Sequence, residues 1–276
     1  MEYIEVNING LSGEDAEILT AGMSELGFES FLEETAGIFS AYIPIDFFDV
    51  RKVSDFLDEQ AMNLGFSYKI GNIPEQNWNA AWESAYQPVK IGKCFIRAPF
   101  HEPDPAAGID LVIEPKMSFG TAHHETTHLM IKALLQIRFE GSSVLDMGTG
   151  TGILGIIALK LGAKHVVAID NDEWSFLNAK ENAARNNIPG MIVIKGSAAD
   201  IPSGKFGYIL ANINRNVLLH DIPVYHNSLE NGGSLILSGF YEDDLDVIRE
   251  MVTAMGMMQD RVETLNHWVA VTFKKC

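Results

Sequence analysis

Residues 144–155, VLDMGTGTGILG, set glycines at alternate positions directly after a short apolar run and directly before a helix-forming one. A strand that runs into such glycines turns sharply, in backbone conformations that side chains bearing a Cβ reach only at a cost, and then enters a helix. The first helical turn leaves N–H groups without partners, so the junction is also a place where a ligand can lie against backbone. Few architectures contain such a junction, and those that do are built from strand–helix–strand units.

The surrounding pattern agrees. SVLDM, HVVAID, MIVIKG, YILANI and SLILSG are strand-like runs separated by helical stretches, and DRVETLN and WVAVTFKKC add two strands with no helix between them. This predicts a Rossmann-like α/β domain over residues 91–276, with a mostly parallel seven-stranded sheet and helices on both faces. CFIRAPF and IDLVIEP, at its start, read as a hairpin. Residues 74–90 read as a linker helix carrying Trp78 and Trp82 on one face.

Residues 1–73 have a different rhythm. Ile4, Val6 and Ile8 alternate as in a half-buried strand. Ser12 is placed to cap a helix with Ala16, Leu19, Met23 and Leu26 inward, ended by Gly27. Two short strands follow, split by Gly37. Asp46 is placed to cap a second helix that buries Val50, Val53, Leu57 and Leu64 and stops at Gly65, and FSYKI closes the set. The order β-α-β-β-α-β predicts a small α+β, ferredoxin-like domain.

The composition excludes several classes. The formal net charge of −17 argues against a large nucleic-acid interface and suits a basic protein partner. No apolar run is long enough to span a bilayer, and MEYIEVNING lacks the pattern of a secretory leader. With only Cys94 and Cys276, a disulfide framework is not expected, and a cytoplasmic setting fits.

Two cofactors suit the glycine loop. GTGILG satisfies the dinucleotide fingerprint G-x-G-x-x-G, which alone is a weak signal. DMGTGTG instead begins with a carboxylate, Asp146. An acid beside the loop suits the sulfonium and ammonium of S-adenosylmethionine and would repel a pyrophosphate. Asp170, at the end of the next strand, is placed to accept two ribose hydroxyls, a feature that both cofactors share.

FGTAHHETT (Phe119–Thr127), the glycine loop, AIDND, ENAARNN, ILANI and GGSLILSG occur in that order, preceded by WESAYQPVKIG. Together they closely resemble the PrmA-type family of bacterial ribosomal protein L11 methyltransferases. The resemblance implies a class I methyltransferase domain behind a small substrate-recognition domain, with S-adenosylmethionine as methyl donor. It implies as acceptors the lysine ε-amines and the N-terminal α-amine of ribosomal protein L11, methylated repeatedly. Its cofactor contacts fall on Thr127, Gly148, Asp170 and Asn212, with Gly150 and Gly152 shaping the same loop and Asp146 expected to face the bound cofactor as well. Asn212 and nearby carbonyls are the groups expected to orient the acceptor amine. Two departures stand out: Ala122 replaces a usual glycine, and NINRN, with Asn214 and Arg215, replaces NILA.

HETTH (His124–His128) matches the zincin pattern H-E-x-x-H literally, but no third ligand follows at a sensible spacing. A chance match is expected here, with no metal. Two other functions remain open at this level: an NAD-dependent oxidoreductase, favoured by GTGILG alone, and a catalytically inactive protein that grips ribosomal components.

Overall fold

The structure, a computed structural model, describes residues 2–11, 13–34, 38–73, 86–116 and 118–276. It divides into two compact units, Met1–Tyr86 and Gln87–Cys276. Ser12, Gly37, Trp78 and Trp82, and with them residues 74–85 of the expected linker helix, lie outside the described residues.

The first unit contains β1 (Tyr3–Asn9), α1 (Gly13–Glu25), β2 (Ser30–Glu34), β3 (Ile38–Pro44), α2 (Val50–Leu64) and β4 (Ser67–Ile73). The strands form one antiparallel sheet in the order β2-β3-β1-β4. Val6 and Ile8 of β1 are fully buried with Leu19, Met23, Ile43 and Leu57, so alternation in the strand and the 3.6-residue period of the helices meet in one core. The start of α2 differs from expectation. Asp46 sits in a short 3-10 turn, and the cap is Asp49, whose carboxylate accepts from the N–H groups of Arg51 and Lys52. Val50, now the first residue of the helix, is exposed, while Val53 and Leu57 are buried.

In the second unit, β5 (Val89–Ile91) and β6 (Cys94–Arg97) form a tight hairpin. Residues 89 and 90, read from sequence as the end of the linker, therefore belong to this strand pair. The expected hairpin between CFIRAPF and IDLVIEP is instead a parallel pair of β6 with β7 (Ile109–Val112). Residues 98–108 are long enough for the crossover that parallel pairing needs. Arg97 then pins the pair, its guanidinium donating to both carboxylate oxygens of Asp110 and to the His101 carbonyl.

The large sheet contains β8 (Ser143–Met147), β9 (His165–Asp170), β10 (Met191–Lys195), β11 (Phe206–Asn212), β12 (Leu229–Tyr241), β13 (Met257–Leu265) and β14 (Trp268–Lys275). Its order is β10-β9-β8-β11-β12-β14-β13, parallel except for β14, which runs antiparallel to both neighbours. Helices α3 (Glu125–Leu134) and α4 (Ile153–Lys160) cover one face, and α6 (Arg215–Ser228) and α7 (Leu245–Ala254) cover the other. Burial on both faces is why Val144–Leu145 in β8 and Val166–Ile169 in β9 are consecutive apolar residues and do not alternate with polar ones.

Helix α5 (Glu173–Arg185) contributes an unusual row of buried amides, Asn178 and Asn182, continued by Asn186 just past its end. Asn186 behaves as a strand edge: its Oδ1 accepts from Val112 N–H and its Nδ2 donates to Val112 C=O. Asn182 accepts from Glu114 N–H and donates to Thr151 C=O, joining the segment after β7 to the glycine loop. Replacing Asn186 by Leu strands two buried backbone groups, and the expected loss of stability is roughly 2–4 kcal/mol. Urea unfolding measures it, and a change below about 0.5 kcal/mol would remove the amide's structural role.

Candidate functional site

The carboxyl ends of β8, β9, β10 and β11 meet along one edge of the sheet, where open α/β sheets place ligands. At the centre is the glycine loop between β8 and α4. Asp146 lies beneath it, fully buried. One oxygen, Oδ2, accepts from the Thr149 hydroxyl at 2.6 Å and from Gly155 N–H at 3.0 Å, so it fastens the start of the loop to the helix that follows. The other oxygen, Oδ1, is buried without a hydrogen-bond partner among the described residues. Burial pushes the Asp146 carboxyl up to about 7, against the lowering effect of its two donors, and the nearby Asp170 charge pushes the same way as burial. Asp146 does not line the adjoining cavity. The direct contact with a bound cation expected from sequence is thus replaced by a bracing position one layer down.

The loop itself is closed from the other side by the segment before α3. Thr151 N–H donates to Phe119 C=O, and its hydroxyl donates to Gly120 C=O. This packing leaves no room for side chains. A Cβ on Gly150 would stand 2.3 Å from the Phe119 oxygen, and one on Gly148 would stand 2.2 Å from Ile213 Cγ2, both at positive φ. Gly152, the residue before α4, shapes the turn without facing the cavity. In the same segment, Ala122 adopts φ 71° while 99% buried, which explains why the family it resembles places glycine there. Holding alanine in this region costs about 1 kcal/mol.

A cavity of about 350 Å³ opens over the loop, walled by Gly148, Gly150, Asp170, Ser197, Ala198 and Asn212 among others. Asp170 reaches it from the end of β9. Its Oδ2 accepts from Gly150 N–H at 2.8 Å and its Oδ1 from Asp172 N–H at 3.0 Å. Each oxygen keeps a further lone pair, so the carboxylate is aimed by backbone and can still accept from a ligand. The described lining contains two carboxylates, Asp170 and Asp221, and no Lys or Arg. Such a wall suits a ligand with hydroxyls and positive charge. A pyrophosphate would meet like charge with no compensating cation.

Asn212 ends β11 and lines this cavity together with a second one of about 260 Å³. Its Nδ2 donates to Thr127 Oγ1 at 3.3 Å, and its Oδ1 is left without a partner among the described residues. Thr127 is fully buried in the first turn of α3 and lines neither cavity; it orients the asparagine. The second cavity is bounded by Phe119, His124, Thr126, Ile213, Asn214, Gly239 and Trp268 as well as Asn212. Of the departures from the resembled pattern, Asn214 caps α6 by accepting from Val217 N–H, and Arg215 pairs with Asp244 at 2.6 Å.

The HETTH segment is used differently from a zincin helix. His124 precedes the helix as its cap, and its Nδ1 accepts from Thr126 N–H, which occupies the lone pair a metal would need. Glu125 accepts from Asn266 Nδ2. Among the described residues, no group of three His, Cys, Asp or Glu is placed to share a metal.

Sequence reasoning missed Ser197, Ala198 and Trp268. The first two follow β10, and the S-x-x-D capping box at Ser197–Asp200, immediately after a strand, was a usable signal. Trp268 carries no such signal. It reaches the site because β14 returns antiparallel beside β12, a pairing made across the whole fold.

A family profile described as "Ribosomal protein L11 methyltransferase (PrmA)" matches residues 4–276. A Porphyromonas gingivalis protein named ribosomal protein L11 methyltransferase is 43% identical over 263 residues, covering 93% of this chain and 90% of its own. One of the same name from Phocaeicola vulgatus is 39% identical over 279 residues, covering 99% of each chain. Among solved structures, the ribosomal protein L11 methylase of Lactobacillus delbrueckii subsp. bulgaricus superposes with a TM-score of 0.64 at 31% identity, over 69% of this chain and 100% of that one.

The Asp146 carboxyl has a testable consequence. It ionises at 3.8 when unfolded and near 7 when folded, so the native state holds a proton that the unfolded state has released. Its contribution to stability is complete below about pH 4 and is lost as pH rises to about 7. Asp146→Asn removes this titration. Between pH 5 and pH 8 the variant should therefore gain on the order of 2–4 kcal/mol relative to the wild type in chemical unfolding. Parallel stability curves for the two proteins would show that Asp146 is ionised throughout.

Proposed function

Because the chain belongs to the ribosomal protein L11 methyltransferase (PrmA) family, we propose that it transfers methyl groups from S-adenosylmethionine to amines of ribosomal protein L11, the lysine ε-amines and the N-terminal α-amine. The observation that carries this reading is the pair of adjoining cavities that share Asn212, one walled by carboxylates and the other lined by aromatic rings without Asp, Glu, Lys or Arg among its described residues. The dinucleotide alternative is not favoured, since the first cavity offers no cation to a pyrophosphate. An inactive binding protein would have no use for an orphaned polar atom held at the junction of two cavities.

The methyl donor, when bound, supplies an electrophilic methyl group on a positively charged sulfur. Asp170 accepts ribose hydroxyls with its remaining lone pairs, Gly148 and Gly150 allow close approach to the backbone, and Asn212 faces the reacting end. Thr127 holds the Asn212 amide, and Asp146 and Gly152 hold the loop. The acceptor amine enters through the second cavity, whose described lining carries no carboxylate. Removal from water without a counter-charge lowers the affinity of the amine for its proton, which favours the nucleophilic form. Asn212 Oδ1 then accepts from a remaining N–H and turns the nitrogen lone pair toward the methyl group. Catalysis is positioning of two reactants in line, with no protein nucleophile.

The basic protein acceptor agrees with the net charge of −17, which also disfavours nucleic acid as a partner. No helix among the described residues is long and apolar enough to cross a membrane, and a cytoplasmic place of action beside the ribosome fits this reading. The N-terminal domain, residues 1–73, whose strands and helices share one core, serves as the recognition domain for the ribosomal protein.

Incubation of the purified chain with labelled S-adenosylmethionine and a mixture of ribosomal proteins should label L11; label on other proteins alone would overturn the assignment. Asp170→Ala should weaken S-adenosylmethionine binding by about 1–3 kcal/mol in a calorimetric titration, with no measurable binding of NAD to either protein. Comparable NAD binding would restore the oxidoreductase reading. A chain beginning near residue 74 should bind S-adenosylmethionine almost normally yet lose most transfer to L11. Transfer at the full-length rate would exclude the recognition role.

A further inference from the structure

The second carboxylate of the first cavity, Asp221, has no part in the glycine loop or at the reacting end. It sits in the middle of α6 and is only 9% exposed. Val217, Asp221 and Tyr225 are spaced four apart, so they share one face of the helix, and all three line the cavity. The connection from β10 to β11 explains why this face reaches the site: it holds a single 3-10 turn, Ala198–Asp200, and no α-helix. Helix α6 packs against that turn instead, and Leu218, Ile222 and Tyr225 share a core with Ala198. The carboxylate is held from two sides. Its Oδ2 accepts from the Tyr225 hydroxyl at 3.1 Å, and its Oδ1 accepts from Nδ1–H of the exposed His220 at 2.7 Å. Burial, with the Asp221 charge beside it, raises the Tyr225 hydroxyl well above its ordinary range, so it stays a donor. Each Asp221 oxygen keeps a lone pair for a ligand.

Resting on the reading that S-adenosylmethionine is the methyl donor, we propose that Asp221 accepts from the 6-amino group of its adenine and so selects a 6-amino purine over a 6-oxo one. Position along the sheet edge carries the argument. Asp170 at the end of β9 receives the ribose, and Asn212 at the end of β11 marks the reacting end. In this cofactor the ribose lies between the sulfur and the base, so the base falls on the far side of β9, toward the end of β10. Gly196, Ser197 and Ala198 line the cavity there. The acid nearest to them in the chain, Asp200, is turned back on Ser197. It takes the Ser197 N–H at 2.8 Å and hydroxyl at 3.2 Å, and it does not line the cavity. Asp221, on the helix packed against that turn, is the carboxylate left to meet the base. An ionised carboxylate only accepts, so it pairs with the N–H bonds of an amine and repels a carbonyl oxygen at the same position.

Paired ligands test this in calorimetric titrations of the full-length chain. Wild type should bind S-adenosylhomocysteine at least about tenfold more tightly than S-inosylhomocysteine, which carries a 6-oxo group in place of the amine. Asp221→Asn keeps the size of the side chain but can donate as well as accept. Its affinity for the 6-oxo compound should therefore rise, and the preference should shrink to about threefold or less. A general loosening of the site would lower both affinities and leave their ratio unchanged, and that result would overturn the inference. Asp221→Ala should weaken S-adenosylhomocysteine and 5′-methylthioadenosine by the same factor, roughly tenfold, because both carry the base. A loss confined to S-adenosylhomocysteine would place Asp221 at the ammonium group, against the proposal. Equal wild-type affinity for the amino and oxo compounds would also defeat it, whether or not the variants fold. A wild type that binds none of these ligands would instead overturn the underlying choice of cofactor.

Discussion

Asp146 Oδ2 receives hydrogen bonds from both ends of the glycine loop, from the Thr149 hydroxyl and from Gly155 N–H inside helix α4. A buried carboxylate is costly to keep, and this one retains an unpartnered oxygen. What that cost secures is the shape of the loop. With Thr149 and Gly155 drawn to one point, the intervening backbone turns outward, and Gly150 N–H is delivered to Asp170 at the end of the neighbouring strand. The two acids thus divide the work by depth: one holds the loop from below and the other faces the cavity above it.

The remaining supports act on the same loop from different directions. The Phe119–Gly120 carbonyls receive Thr151 from one side, while Asn182 holds the Thr151 carbonyl from α5. Asn182 and Asn186 also bind the backbone of Val112 and Glu114, so the segment leading to α3 and the helix after β9 are tied together through side-chain amides. Buried polar networks of this kind are stable only when their members are satisfied, and they restrict the chain to one arrangement. Position at the site is consequently set by hydrogen bonds, with the apolar cores on the two faces of the sheet supplying the rigid base.

The two cavities differ in electrostatic character, and Asn212 stands where they meet. The cavity with carboxylates can hold a cation together with ribose hydroxyls. The cavity lined by aromatic rings has no carboxylate among its described lining, and a protonated amine is less stable there than in water. On the function proposed above, reactants of like positive charge are accommodated side by side: one is neutralised by the wall, and the other is encouraged to shed its proton. The amide of Asn212, tethered by Thr127, offers its free oxygen at the boundary.

Much of this was legible in the sequence. Apolar runs such as HVVAID, buried on both faces, announce a parallel sheet, and alternate glycines after VLDM announce the loop, because both signals are local consequences of burial and backbone geometry. The placement of Asp170 and Asn212 at strand ends follows from the same reading. Other features depend on contacts between distant segments. Asp146 looks from sequence like a ligand contact, and only packing beneath the loop turns its carboxylate away from the cavity. CFIRAPF and IDLVIEP look like a hairpin, because neighbouring strands with a loop between them carry no local mark of parallel pairing; the Arg97–Asp110 contact lies in three dimensions. Asp49 displaced Asp46 as the helix cap by a choice between two nearby acids that only the path of the chain makes. Trp268 enters the site solely because the last strand turns back antiparallel beside β12. Local pattern determined the elements and the loop; long-range pairing decided which side chains face the cavities, since side-chain direction at a strand end depends on the neighbours that strand acquires.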